Sequence, residues 1–213
     1  MQKKIRIAIP NKGRLKQPAV KMLERAGIRI LEEDRNYVSK TSDPRFEAIF
    51  ARAYDIPVYV QYGAVDLGIT GHDLILERGA DVLELLDLEF GGCTLVVAIP
   101  DSSNINFVNE IPALTRVATE FPNITRKYFE RLGMQVELLE VSGTSELAPK
   151  LGLAQIITDI TSSGETLRKN NLRIIATILD STTRLACNKI AYRTFEKEVN
   201  ELIARLQGGP EKK

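Results

Sequence analysis

Gln155-Ile-Ile-Thr-Asp-Ile-Thr-Ser-Ser-Gly-Glu-Thr-Leu-Arg-Lys-Asn170 is the stretch from which the rest of the chain is read. Its first four residues form an apolar, β-prone run, and residues 165–170 read as a helix. Between them lie an acidic residue, Asp159, and a hydroxyl- and glycine-rich turn, Thr161, Ser162, Ser163 and Gly164. A strand-to-helix turn of this composition aims backbone N–H groups and hydroxyls at one spot, beside the positive end of the helix dipole. Phosphate suits that geometry. A carboxylate at the end of the strand can accept hydrogen bonds from ribose hydroxyls or help to hold Mg²⁺. The same residues also fit an ordinary βα turn, with Ser163 or Thr161 as N-cap and Gly164 for the bend. Neither a Walker loop nor a Gly-x-Gly-x-x-Gly dinucleotide turn is present here.

Outward from this stretch, strands and helices alternate. Strands are predicted at residues 5–9, 54–60, 65–69, 94–99, 115–119, 135–141, 155–160, 172–179 and 184–192. Helices are predicted at 18–26, 73–78, 123–132 and 145–150. A last helix is expected from Thr194 as N-cap, with Phe195, Val199, Leu202, Ile203 and Leu206 on one stripe. This alternation predicts an α/β protein with mostly parallel sheets flanked by helices on both faces. A boundary near residues 90–92 and a return near 180–183 divide it into two lobes, 1–91 with 181–213 and 92–180. The expectation is a cleft between them where the strand C-termini converge.

Composition narrows the partners. Lys plus Arg (29) nearly balances Asp plus Glu (28), so no global field draws the chain to nucleic acid or membrane. Anionic ligands then require a local basic cluster. No apolar run approaches membrane-spanning length, and the N-terminus lacks the pattern of a signal peptide, so a cytoplasmic protein is expected. Cys93 and Cys187 have no metal spacing and read as buried, reduced residues.

Further candidates lie at other strand ends. Lys12, Gly13 and Arg14 follow the first strand on the usual ligand side of an α/β sheet, where Gly13 lets backbone approach closely. Arg35 and Arg52 are isolated cations near strand edges. Each of these also fits a solvated surface residue. Together they would suit a polyphosphate. Gly68-Ile-Thr-Gly-His-Asp73 is a second glycine-bearing turn, in which Asp73 can cap the helix or accept a hydrogen bond from a ligand's amino group. His72 is the only histidine and reads as a surface residue, so neither a Ser-His-Asp set nor a His-rich metal site is available. Glu146, after Ser142-Gly-Thr-Ser145, is either a first-turn acid or a second carboxylate facing Asp159.

Taken together, these segments resemble the ATP phosphoribosyltransferase family. The strongest match is Glu146-Leu-Ala-Pro-Lys-Leu-Gly152-Leu-Ala154 followed by Ile157-Thr-Asp159-Ile-Thr-Ser-Ser163-Gly164-Glu-Thr166-Leu167. Lys12-Gly13-Arg14, Arg52-Ala-Tyr-Asp55-Ile-Pro57, Asp66-Leu-Gly68-Ile-Thr70-Gly71-His-Asp73 and Arg116-Val-Ala-Thr119 support it, in order from about residue 5 to about residue 193. The resemblance implies two lobes like type II periplasmic binding proteins. It also implies condensation of ATP with 5-phosphoribosyl 1-pyrophosphate in the first step of histidine biosynthesis, with Mg²⁺ as cofactor.

By position, the resemblance puts the 5-phosphate on Thr161, Ser162, Ser163, Gly164 and Thr166, and the ribose hydroxyls or Mg²⁺ on Asp159 and Glu146. It puts Lys12, Arg14, Arg35 and Arg52 at the pyrophosphate and the ATP phosphates, and the expectation is that Arg14, Arg35 and Arg52 do the electrostatic work on the leaving group. Lys12, Gly13, Thr70, Gly71 and Asp73 are assigned to ATP. The chain's end after the helix at 195–206 implies the short form, a homodimer on its own that joins a regulatory relative of histidyl-tRNA synthetase. Two departures stand out: Glu120 where many relatives have lysine, and Lys189 where proline is common. A phosphoribosyltransferase for another base is disfavoured by the single acid before the loop, Asp159. A solute-binding module is disfavoured by the missing signal peptide, and a DNA-binding regulator by the charge balance.

Overall fold

The computed structural model describes residues 4–31 and 37–208. They form two compact units, residues 4–91 with 182–208 and residues 92–181.

The first unit opens with β1 (Ile5–Pro10), α1 (Lys16–Arg25), β2 (Val38–Lys40), β3 (Phe46–Ala51), α2 (Ile56–Gln61), β4 (Leu67–Gly71), α3 (His72–Arg78) and β5 (Leu83–Asp87). The second comprises β6 (Cys93–Pro100), β7 (Thr115–Thr119), α4 (Pro122–Arg131), β8 (Val136–Glu140), α5 (Leu147–Lys150), β9 (Ile156–Thr161), α6 (Glu165–Lys169) and β10 (Leu172–Ser181). The chain then returns through β11 (Thr183–Cys187), α7 (Lys189–Thr194) and α8 (Glu196–Gly208) to the first unit.

The first sheet has the order β2-β3-β1-β4-β11-β5 and the second β10-β6-β9-β7-β8. Both sheets are mixed, whereas the sequence predicted mostly parallel ones. β3, β1 and β4 run parallel, but β2, β11 and β5 pair antiparallel. In the second sheet β9, β7 and β8 run parallel, while β6 is antiparallel to both β9 and β10. The parallel triplet in each unit is what matters for the site, because three successive loops leave from the same sheet edge.

Alternation along the strands builds a core on each face. In β1, Ile5, Ile7 and Ile9 pack with Ala19 and Leu23 of α1 and Val199 and Leu202 of α8, while Ala8 faces Ile56 and Val60 of α2 and Ile75 of α3. In β6, Val96 and Ala98 pack with Ala148 and Leu167 beneath α5 and α6, and Val97 and Ile99 pack with Phe129 of α4. Both cysteines are free and buried, one in each unit.

Several predicted elements change type. Residues 54–60 were expected as a strand, but Ile56–Gln61 is helix, with Pro57 in its first turn where the missing N–H costs nothing. The strand predicted over 184–192 stops at Cys187. Asn188 then caps α7, its Oδ1 accepting the N–H groups of Ile190 (2.9 Å) and Ala191 (3.0 Å). Thr194 does not cap the last helix; it belongs to α7 and donates to the Ile190 carbonyl at 2.9 Å. β2, β3 and β5 were not predicted. Among the described residues no helix is long and apolar enough to cross a membrane.

Candidate functional site

In the second unit the C-terminal ends of β7, β8 and β9 deliver Glu120, the loop 141–146 and Asp159 to one edge of the sheet. Below that edge a chain of buried hydroxyls links two strands through a helix. Thr125 of α4 lies 3.2 Å from Thr119 Oγ1 on β7 and 2.6 Å from Thr158 Oγ1 on β9, and Thr119 also accepts the Phe121 N–H. This fixes the strand end just before Asp159.

Asp159 is held from both sides. The buried Ser145 hydroxyl donates to Oδ2, and the Ile160 N–H donates to Oδ1 at 2.7 Å. Burial pushes the Asp159 carboxyl above the usual range, more than these two donors lower it. Ser145 reaches it because Gly143 (φ +80°) and Thr144 (φ +51°) are both left-handed. A β-branched residue is strained in that region by about 1–3 kcal/mol. The buried hydrogen bond to Asp159 helps to offset this strain.

Glu146 follows directly, half-buried, and Glu120 comes in from β7. A Cβ on Gly143 would sit 3.3 Å from Glu120 Oε1, so the Glu120 carboxylate lies over that loop. Burial, then the charges of Asp159 and Glu146, hold its carboxyl above the usual range. The sequence departure at Glu120 therefore adds negative charge beside these two acids.

The turn after β9 is closed by its own hydroxyls. Thr161 Oγ1 accepts the Gly164 N–H at 2.8 Å, and Ser163 Oγ accepts the Glu165 N–H at 3.4 Å. The N-cap is Gly164 itself at φ +70°, not the expected Ser163 or Thr161, and α6 is only five residues long. Ser162, Ser163 and Thr166 are exposed.

Among the described residues no group of three or more His, Cys, Asp or Glu is placed to hold a metal ion. Mg²⁺ asks for less. It commonly takes one or two carboxylates, with waters and substrate phosphates completing its shell. Asp159 and Glu146 meet that requirement.

In the first unit β1, β3 and β4 end together. The Asn11 N–H donates to the Ala51 carbonyl at 2.8 Å, which seats the loop after β1 beside Arg52. Lys12, Gly13 and Arg14 are exposed, with Gly13 at φ +79°, and the Arg14 guanidinium donates to the Gly91 carbonyl. Arg52 is exposed too, while its carbonyl accepts the N–H groups that start α2.

Three of the candidates assigned to ATP, Thr70, Gly71 and Asp73, are internal. Thr70 is fully buried and donates to the Ala53 carbonyl at 2.9 Å, tying β4 to the turn that carries Arg52. Asp73 is 2% exposed, and a Cβ on Gly71 would stand 2.1 Å from its Oδ1, so a larger residue at 71 would displace the Asp73 carboxylate. His72 is half-buried and lies 2.7 Å from Glu84, not free on the surface. Arg35 lies outside the described residues. Ser145 and Asn11 were missed from sequence. Ser145 directly precedes Glu146, and Asn11 directly precedes the Lys-Gly-Arg run.

These features define a two-unit α/β protein, acidic at one set of strand ends and cationic at the other. The family model described as HisG: ATP phosphoribosyltransferase matches residues 52–208. The ATP phosphoribosyltransferases of Methanocaldococcus jannaschii and Methanopyrus kandleri are 47% and 49% identical over 207 and 205 residues. Those alignments take in 95% and 96% of this chain but 72% and 71% of the relatives. A chain of the ATP phosphoribosyl transferase (HisG:HisZ) complex from Thermotoga maritima superposes with a TM-score of 0.84 at 31% identity, covering 95% of this chain and 96% of its own. A periplasmic sulfonate-binding protein of Methylobacillus flagellatus shares the fold at TM-score 0.64 and 12% identity, over 96% of this chain and 67% of its own. The chain belongs to the ATP phosphoribosyltransferase family, pentosyltransferases of the first step of histidine biosynthesis.

Proposed function

We propose that the family's reaction runs on this chain with its parts divided between the units. Residues 92–181 hold 5-phosphoribosyl 1-pyrophosphate, and the strand ends of the first unit serve ATP and the departing pyrophosphate. The donors of Thr161, Ser162, Ser163, Gly164 and Thr166 take the 5-phosphate. Asp159 and Glu146 accept hydrogen bonds from the ribose hydroxyls. Lys12 and Gly13 meet the ATP phosphates, while Thr70, Gly71 and Asp73 shape the strand end beneath the nucleotide. Arg14 and Arg52 stabilise the leaving group; Arg35, outside the described residues, keeps the same assignment. The observation that carries this reading is Asp159, clamped by Ser145 and by a backbone N–H immediately before the Thr161–Gly164 turn.

The chemistry needs no strong base. Adenine N1 is a lone-pair nucleophile, and the barrier lies in expelling pyrophosphate from an oxocarbenium-like centre. Positioning and charge stabilisation lower it. One direct displacement inverts C1 of the ribose and yields N1-(5-phosphoribosyl)-ATP and pyrophosphate. When bound, Mg²⁺ neutralises pyrophosphate charge, and Asp159 and Glu146 are the carboxylates that would contribute to holding it.

We propose further that the chain is the short form, a homodimer on its own, and works in the cytoplasm with a regulatory partner related to histidyl-tRNA synthetases. The match to the Thermotoga maritima chain, from a HisG:HisZ complex, over 95% of this chain and 96% of its own supports the regulatory partner. The test is a coupled assay of the purified chain with ATP, phosphoribosyl pyrophosphate and Mg²⁺, following ultraviolet absorbance of the ribosylated adenine. Turnover with or without the partner supports the activity, and a large increase on adding it supports the short form. Binding of phosphoribosyl pyrophosphate without product in either condition would instead favour a binding module.

A further inference from the structure

Arg52 is exposed, and among the described residues no carboxylate pairs with its guanidinium. Its place therefore depends on the backbone of the turn 51–55. Inside that turn the Arg52 carbonyl accepts the N–H groups of Asp55 (2.9 Å) and Ile56 (3.2 Å). Those local bonds shape the turn without tying it to β1 or β4. Two tertiary hydrogen bonds do that, one on each side of Arg52. The Ala51 carbonyl accepts the Asn11 N–H at 2.8 Å, and the Ala53 carbonyl accepts the Thr70 hydroxyl at 2.9 Å. Arg78 also lies over the Tyr54 ring at 4.7 Å, but both residues are exposed, where a cation–π contact is weak.

The two flanking bonds differ in kind. A backbone N–H is available whatever non-proline residue stands at position 11, whereas the hydroxyl at 70 is a choice of side chain. Thr70 lies in β4, where all five residues are buried. Valine there would satisfy the strand's preference for β-branched residues and would bury no hydroxyl. What threonine adds is the hydrogen bond to Ala53, the residue directly after Arg52. Being 0% exposed, Thr70 has no surface with which to touch a nucleotide. Its influence on a ligand passes through what it holds.

We propose that Thr70 is a positioning residue: by fixing the Ala53 carbonyl it aims the exposed Arg52 at the departing pyrophosphate. This rests on the leaving-group role given to Arg52, and names the side chain that sets that role up. Charge acts over a distance, so losing the anchor costs less than losing the guanidinium.

The experiment compares single-turnover rates and KM values for the full chain, with the regulatory partner present where turnover needs it. The variants are Thr70→Val, Thr70→Ala, Thr70→Ser, Arg52→Ala, and Arg52→Ala combined with Thr70→Val. Thermal melts identify those that fold, and either Thr70→Val or Thr70→Ala suffices to remove the hydroxyl. Its loss should slow turnover about tenfold, with KM for ATP changed less than about twofold. Thr70→Ser keeps the hydroxyl and should recover most of the rate. On the Arg52→Ala background Thr70→Val should cost nothing more, because nothing is left to aim. An unchanged rate in Thr70→Val, while Arg52→Ala loses about tenfold or more, overturns the proposal. Equal losses on both backgrounds overturn it as well, since Thr70 then acts through something other than Arg52. A Thr70→Ser rate no better than that of Thr70→Val assigns the effect to packing and overturns it too. So does a raised KM for ATP at unchanged rate, which would put the hydroxyl at the nucleotide. If Arg52→Ala itself loses less than about tenfold, the leaving-group assignment fails and takes this inference with it.

Discussion

The two sets of strand ends are built on opposite principles. At residues 142–146 and 159–164 the polar groups are fixed before any ligand arrives. Ser145 and Ile160 clamp Asp159, hydroxyls cap their own turn, and the charges of Asp159 and Glu146 lie close enough to raise the Glu120 carboxyl. At residues 11–14 and 52 the charges stand exposed, with Arg14 resting on a backbone carbonyl. A neutral sugar diol gives weak, directional bonds, so its acceptors must already be aimed. Pyrophosphate gives strong, long-range attraction, so its cations tolerate looser placement. On the proposed assignment, the clamped acceptor Asp159 serves the sugar, and the exposed cations serve the pyrophosphate.

That contrast can be broken by mutation. Asp159→Ala should lower kcat/KM for phosphoribosyl pyrophosphate by about 100- to 1000-fold with ATP affinity nearly unchanged, taking a lost preorganised group as the analogue. Equal losses for both substrates, in steady-state kinetics, would end the division of labour. Arg52→Ala should reduce kcat by about 100-fold, roughly 3 kcal/mol of transition-state stabilisation, with a smaller change in KM. A loss below tenfold in single-turnover experiments would remove Arg52 from the leaving-group role.

Ser145→Ala sharpens the comparison by loosening the clamp alone. It should raise KM for phosphoribosyl pyrophosphate about tenfold while kcat moves only a few-fold, since a hydrogen bond to a charged group is worth about 1.5–3 kcal/mol. An unchanged KM would mean that Asp159 needs no clamp.

The smallest effect is on stability. Glu120 has its carboxyl raised on folding, chiefly by burial and then by Asp159 and Glu146. A group raised in this way favours the fold only below its unfolded value, and that advantage is lost as pH climbs through its folded value. Charged Glu120 therefore weighs against the fold at neutral pH. Glu120→Gln should raise Tm by about 2 °C at pH 7, and the gain should vanish as pH falls to the ordinary value of 4.5. A gain independent of pH in thermal melts would assign it to packing instead.

Sequence patterning carried the second unit far better than the first: β6, β7, β8, β9 and β10 all lie where strands were predicted, whereas β2, β3 and β5 were missed. β7 over Thr115–Thr119 has its predicted bounds, and the strand–turn–helix at 156–169 lies within about a residue of its expected bounds. Ile56-Pro-Val-Tyr-Val60 misled because β-branched and aromatic residues favour strands locally. The connection between parallel β3 and β4 needs a crossover, and helix α2 supplies it. Asn188 was a legible helix signal lost inside an apolar run. The antiparallel placement of β6, β10 and β11 is set by long-range pairing, which no local pattern encodes. At the site, Asp159 and Glu146 stood out by motif. Ser145 did not, because a serine reveals its partner only once Gly143 and Thr144 turn it inward.

The two cysteines have a practical consequence. Cys93 lies in one unit and Cys187 in the other, both shut away from solvent, with the Cys187 thiol pushed up to about 12 by burial and by Asp66. A thiolate rather than a thiol reacts with electrophiles, so neither residue labels readily while its sheet is intact. Each becomes reactive when the strands around it part. The chain thus carries a pair of independent clocks, and the alkylation rate of each cysteine, followed by peptide mass spectrometry, times the breathing of its own half.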